Sequence, residues 1–223
     1  MATEFCSACR QRPAGEHLLC KTCLGGMLDW RPLDTATVLV AGLGRCGSSL
    51  TMQMLDAGGF PVAGTYPDYE PSFTKEVNER PDVYTIATKG RAVKALDPHR
   101  WRPPAGDYRV IFLTRDVDEQ ARSGLKLLGL SQDRSARRRM AAGLTADLRQ
   151  ARRAIHRLTR YPVLELSFET LIRNPRRAAG TLSFMLGGLD VERMVRQVRP
   201  RPSGSDCLVY SLEPILAERS DVL

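Results

Sequence analysis

The chain has 223 residues, 43% hydrophobic and 26% charged, which is room for one medium α/β domain and a small appendage. No apolar run approaches the roughly 18 residues that span a bilayer, and residues 1–25 lack the basic start and apolar stretch of a secretory signal, so a soluble, cytoplasmic protein without a membrane span is expected. The formal net charge is +8 and 28 of the 33 cations are arginine, an excess that attracts nucleic acid, anionic lipid or a phosphorylated small molecule without choosing among them.

Four of the six cysteines fall in the first 23 residues. Cys6-Ser-Ala-Cys9 and Cys20-Lys-Thr-Cys23 are two C-x2-C pairs, each a tight turn that aims two thiolates at one point, and together they close a tetrahedral zinc site. Two disulfides or a free-thiol cluster are the alternatives, and disulfides fit poorly with a chain lacking an export signal. Residues 1–30 therefore read as a zinc-ribbon-like module, too small to fold without its metal. Its role stays open among nucleic-acid binding, docking and stabilisation, with Arg10, Arg12, Lys21 and Arg31 read as solvated surface. Trp30-Arg31-Pro32 marks the boundary to a second domain over residues 36–223. The linker is too short for free tumbling, so the module is expected to pack against that domain.

Thr37-Val38-Leu39-Val40-Ala41 is a short continuous apolar run, the pattern of a strand buried on both faces of a parallel sheet. Gly42-Leu43-Gly44-Arg45-Cys46-Gly47-Ser48-Ser49 follows, then a helical segment through Leu50, Met52, Met54 and Leu55 that stops near Gly58-Gly59. Strand, glycine loop and helix N-terminus together predict a cradle for a phosphate-like anion. Gly42 and Gly47 have the spacing of the nucleotide-triphosphate loop, but Ser48 stands where its lysine belongs. That departure weakens a kinase or NTPase reading, while Arg45 offers charge from another position. Cys46 fills a small slot in the loop; the alternative is a thiolate with lowered pKa beside the helix start.

Gly44-Arg45-Cys46-Gly47-Ser48-Ser49-Leu50 resembles the 5′-phosphosulfate loop of sulfotransferases, P-R-S-G-T-[ST], with Gly44 in place of the proline, Cys46 of the small polar residue and Ser48 of the threonine. A second stretch, Arg109-Val110-Ile111-Phe112-Leu113-Thr114, reads as another buried strand ending at Arg115 and running into a helix that contains Ser123. Arg115 to Ser123 has the spacing of that family's 3′-phosphate motif, in which a strand-end guanidinium and a hydroxyl two helical turns along grip one dianion. The third match is Val163 through Ile172, then Asn174-Pro175 opening an amphipathic helix that ends Phe184-Met185-Leu186-Gly187, similar to the family's late strand and helix pair. These matches cover roughly residues 36–190 and predict a P-loop-type α/β fold, a parallel sheet flanked by helices.

The resemblance implies transfer of a sulfuryl group from 3′-phosphoadenosine 5′-phosphosulfate to a hydroxyl or amine of a small-molecule or glycan acceptor. It further implies that Gly44, Arg45, Cys46, Gly47, Ser48 and Ser49 hold the 5′ end of the donor and Arg115 and Ser123 its 3′-phosphate. Arg45 is the expected electrophile on the bridging oxygen. Many family members carry a histidine as general base two residues after a lysine, and the comparable stretch here, Lys94-Ala95-Leu96, has none. Glu70 is the candidate base, with Asp68 and the weaker His99 as alternatives. Lys89 and Lys94 read as two exposed lysines, with help in binding the sulfonate as the alternative for either.

Residues 134–160 carry nine arginines against one acid, with Leu144, Leu148, Ala151, Ile155 and Leu158 at helical spacing on the other face. A solvated surface helix is expected, and docking of a polyanion or nucleic acid is the less favoured reading. Arg199 and Arg201 are candidates to close over the cofactor. Two other classes stay open: a P-loop kinase, and an inactive zinc-ribbon and P-loop protein that docks nucleic acid or another polyanion.

Overall fold

The run at Thr37 forms the first strand of a four-stranded parallel sheet, and a computed structural model describes it within Leu18, Trp30 and residues 33–70, 81–100 and 103–198. In chain order the elements are β1 (Thr37–Gly42), α1 (Ser48–Ala57), α2 (Pro81–Thr88), β2 (Ala92–Leu96), β3 (Tyr108–Thr114), α3 (Val117–Leu127), α4 (Arg134–Leu158), β4 (Leu164–Ser167), α5 (Phe168–Arg173), α6 (Pro175–Leu186) and α7 (Val191–Arg196). The strand order is β2-β1-β3-β4, with Val38 opposite Ala92, Thr37 opposite Tyr108 and Ile111 opposite Leu164. The chain leaves β1 in one direction and returns from β2 across β1 to β3, so a crevice opens beyond the carboxyl end of β1. Open α/β sheets bind ligands at that kind of switch point.

Alternation along the strands divides the core into two layers. Val38, Val40, Ile111, Leu113, Leu164 and Leu166 face α1, α5, α6 and α7, whose Leu50, Met54, Leu171, Leu182 and Met194 are buried there. On the opposite face Leu39, Ala41, Val93, Val110 and Phe112 pack against Ala151 and Ile155 of α4, with Leu144, Leu148 and Leu158 half-buried beside them. The arginine-rich helix thus presents the apolar face expected of it. Its arginines are not all solvated, because Arg152 forms a two-pronged pair with Glu165 of β4 at 3.1 Å through each nitrogen.

Trp30 is fully buried in the same core as β1 and α1, and Leu18 joins it. Its indole N–H donates to Pro162 O at 3.1 Å, and its carbonyl accepts from Arg109 Nε at 2.7 Å. Arg109 is itself 1% exposed, paired with Asp107 and stacked over Tyr161 at 3.5 Å. The two described residues of the N-terminal module are therefore part of the α/β core. Cys6, Cys9, Cys20 and Cys23 lie outside the described residues, as do Arg199 and Arg201. Among the described residues no group of three His, Cys, Asp or Glu side chains is placed to hold a metal, and no helix is long and apolar enough to cross a membrane.

Candidate functional site

β1 delivers the glycine loop to the crevice. Gly42 has no room for a side chain, since a Cβ there would lie 2.6 Å from Cys46 Sγ and 2.8 Å from Leu113 O. Gly47 caps α1 at φ 99, where a Cβ would meet the Phe168 ring at 2.7 Å. The other fixed point is Arg45, a non-glycine residue at φ 68. Its Nε donates to Ser123 Oγ at 2.9 Å, and its carbonyl accepts from Arg115 at 3.2 Å. Gln120 holds the next carbonyl back, donating to Gly44 O at 2.7 Å. The loop from β1 and the strand–helix unit β3–α3 thus meet at Arg45. Single residues in left-handed backbone store of order 1 kcal/mol, and here two side chains of a neighbouring element hold the strained residue in place.

Side chains cap α3, α4, α5 and α7 through Asp116, Asp133, Ser167 and Asp190, whereas no side chain caps α1. The positive end of α1 is therefore offered to the cavity without a capping side chain. Cys46 occupies the slot beneath the loop. Burial pushes its thiol up to about 11, against the smaller pull of the backbone amides of Ser48 and of Cys46 itself. Burial thus favours the neutral thiol of a small residue filling its slot over the thiolate alternative.

A cavity of about 360 Å³ is lined by Gly44, Arg45, Gly47, Ser48, Ser49, Asp68, Glu70, Lys94, Leu96, Arg115, Leu127 and Phe168 among others. Lys94 corrects the expectation of an exposed lysine, since it is only 6% exposed. It points from the interior of β2 to the start of α1, and its Nζ donates to Glu70 Oε1 at 2.7 Å, Asp68 O at 2.9 Å and Ser49 Oγ at 3.2 Å. The cation missing from the loop sequence is thus supplied by the neighbouring strand. Lys89, by contrast, is exposed and outside the cavity lining.

Glu70 sits at the cavity rim with its side chain 57% exposed. Asp68 contributes its carbonyl to Lys94 and turns its carboxylate back to the Glu70 N–H at 3.3 Å. Arg115 is 7% exposed, lies over the Phe168 ring at 4.5 Å and faces Glu119 at 3.8 Å. Ser123, 3% exposed, reaches the site through Arg45. His99 does not join them. It lines a separate cavity of about 400 Å³ with Arg153 and Arg157, its Nε2 3.5 Å from Asp147 of α4.

Sequence reasoning left out Gln120 and Phe168, and it read Lys94 as an exposed lysine in preference to a site residue. For Lys94 a signal existed: a single charge inside Ala-Val-Lys-Ala-Leu, in a chain where lysine is scarce, implies a buried partner. Gln120 and Phe168 carry no such mark, because their roles depend on how α3 and α5 meet the loop.

No protein-family model matches the chain, and no curated protein matches it. Among solved structures it is similar to the sulfotransferase domain of the Synechococcus PCC 7002 olefin synthase, with a TM-score of 0.52 and 16% identity over 82% of this chain and 83% of that one. It is also similar to sulfotransferase STF9 from Mycobacterium avium, with a TM-score of 0.48 and 12% identity over 89% of this chain and 79% of that one. With four parallel strands, helices on both faces and the glycine loop at the switch point, the chain has a sulfotransferase fold.

Proposed function

We propose that the protein transfers a sulfuryl group from 3′-phosphoadenosine 5′-phosphosulfate to a hydroxyl or amine of a small-molecule or glycan acceptor. The observation that carries this reading is the convergence of Arg45, Lys94 and Arg115, from three different elements, on one cavity at the uncapped end of α1. A donor with a phosphosulfate at one end and a phosphate at the other needs separated cations of this kind. Gly44 through Ser49 would take its 5′ end, and Arg115 and Ser123 its 3′-phosphate.

In the step itself the acceptor oxygen or nitrogen attacks sulfur, the bond from sulfur to the bridging oxygen breaks, and its electron pair leaves on the phosphate. Arg45 neutralises the charge that develops on that oxygen. The acceptor's proton passes to a carboxylate oxygen of Glu70, which Lys94 holds at the rim. Glu70→Gln is expected to lower turnover by roughly 10²-fold or more with affinity for 3′,5′-bisphosphoadenosine unchanged. Asp68→Asn is expected to keep the wild-type rate, because Asp68 meets Lys94 through its backbone carbonyl. Wild-type turnover in Glu70→Gln removes Glu70 from the mechanism.

The reading is tested by isothermal titration of the full chain with 3′,5′-bisphosphoadenosine, with ATP and AMP as controls. Binding is expected, and Arg115→Ala is expected to weaken it by roughly ten- to a hundredfold, the worth of hydrogen bonds to a charged group. No binding by the folded wild type overturns the donor assignment. On the spacing of Cys6, Cys9, Cys20 and Cys23 we also infer one structural zinc, so elemental analysis of the purified chain should return one zinc per molecule. A metal-free chain with the same melting temperature would sink that inference.

A further inference from the structure

Three leucines stand exposed at one turn: Leu127 at 59%, Leu128 at 61% and Leu130 at 53%. The turn is a fixed one. Gly129, at φ 63, donates to Lys126 O at 3.1 Å, and Leu130 donates to Leu125 O at 3.0 Å, the crossed pair of bonds that closes a helix at a left-handed glycine. That closure commonly packs the residue after the glycine back onto the helix, yet Leu130 stays more than half exposed. Polar side chains would satisfy the same backbone. A contiguous apolar tip held outward by rigid geometry is a contact surface.

Charge begins a few residues later. Arg134, Arg138 and Arg139 are exposed in the first turns of α4, with Arg137 half-exposed beside them. Arg134, Arg137 and Arg138 make no ion pair among the described residues. The one acid between Leu127 and Arg139 is Asp133, and its carboxylate is occupied as the cap of α4, accepting from Ala136 N–H at 2.8 Å and Ser131 Oγ at 2.9 Å. Apolar tip and unneutralised arginines therefore adjoin, with exposed Leu130 four residues before exposed Arg134.

We propose that Leu127–Leu130 and the first turns of α4 dock on an anionic lipid surface, the leucines entering the acyl boundary and the arginines pairing with headgroup phosphates. A second copy of this chain fits poorly, because it sets arginines against arginines. A protein partner fits less well than lipid, since leucine is under-represented among protein-contact anchors and the tip has no aromatic residue. Leu127 also lines the site cavity, so docking brings the cavity to the interface. If sulfuryl transfer is the reaction, a step that rests on the proposed function, the acceptor is a hydroxyl carried by a lipid.

The test is co-sedimentation of the full chain with phosphatidylcholine vesicles with and without phosphatidylglycerol, with bisphosphoadenosine titration run in parallel. Partitioning onto the anionic vesicles is expected to exceed that onto neutral ones by roughly tenfold or more. The pair Leu128→Glu with Leu130→Glu, and separately Arg138→Glu with Arg139→Glu, should each lower it by roughly tenfold or more while leaving melting temperature and bisphosphoadenosine affinity unchanged. Both arginines of the second pair are exposed on α4, and the side-chain hydrogen bond between them and the rest of the chain runs from Arg139 to the exposed Ser135 one turn earlier, so loss of binding there is not loss of fold. Docking is overturned if the wild type stays in the supernatant, if neutral vesicles bind it equally, or if the leucine variant binds as the wild type does. Vesicle binding without bisphosphoadenosine binding overturns the donor reading and leaves docking standing; the reverse result overturns docking alone.

Discussion

Arg45→Ala is expected to abolish most sulfuryl transfer, lowering the rate by roughly 10²- to 10³-fold or more, as removal of a positioned donor to a developing oxyanion does. The fold should survive. Arg45 makes one side-chain hydrogen bond, to Ser123, whose loss costs about 1 kcal/mol, and its backbone position is held independently by Arg115 on its carbonyl. Single-turnover transfer, measured beside bisphosphoadenosine affinity, separates the two roles of this side chain. A rate deficit larger than the affinity deficit places Arg45 on the transition state. Equal deficits make it a binding residue, and a wild-type rate removes it altogether. Arg45→Lys should recover little, because a lysine's donors all sit on one nitrogen and cannot span from Ser123, which Nε meets, to the place in the cavity that the outer guanidinium nitrogens reach.

The second large effect is on stability. Trp30→Ala should destabilise the chain by about 3–5 kcal/mol, the usual consequence of emptying a buried tryptophan site. The indole is fully buried among β1, α1 and α6 residues, and its N–H bond to Pro162 goes with it. In a domain of this size that is a fall in melting temperature of roughly 6–20 °C. Denaturant titration of the full chain checks it. A change below about 1 kcal/mol, the range of ordinary surface substitutions, would mean that the segment before β1 lies on the core without being part of it.

Much of the fold was legible because it rests on patterns of one or two residues. The apolar run at Thr37 became β1, and the run at Arg109 became β3 with one added residue, Tyr108. Asn174-Pro175 opened α6, and Gly187 closed it in left-handed backbone at φ 102. The glycine loop marked the candidate site because glycine spacing after a strand has few other uses. What stayed hidden depends on crossings between distant segments. That Arg45 bonds Ser123 follows from the angle between α3 and the loop, and no local pattern carries it. His99 illustrates the opposite error: a rare histidine after a strand invites a catalytic role, yet Asp147 of α4 draws its ring to another cavity. Trp30 looked like punctuation before a proline, and only the long-range bonds to Pro162 and Arg109 show it as core.

The strand pairings carry a consequence for how the molecule comes to be active. No two strands are joined by a hairpin, and the paired residues Val38 and Ala92, Thr37 and Tyr108, and Ile111 and Leu164 are each more than fifty positions apart. Such non-local parallel pairing folds slowly, because loop closure is spent before contacts return it. Arg45, Lys94 and Arg115 reach one rim only when β2, β1 and β3 are all in register. A nascent chain emerging as far as Lys94 holds the whole glycine loop but lacks the strand that places Arg115 and the helix that holds Arg45. The assembled rim is thus a property of three seated strands, and its return during refolding marks the last of β2, β1 and β3 to be seated.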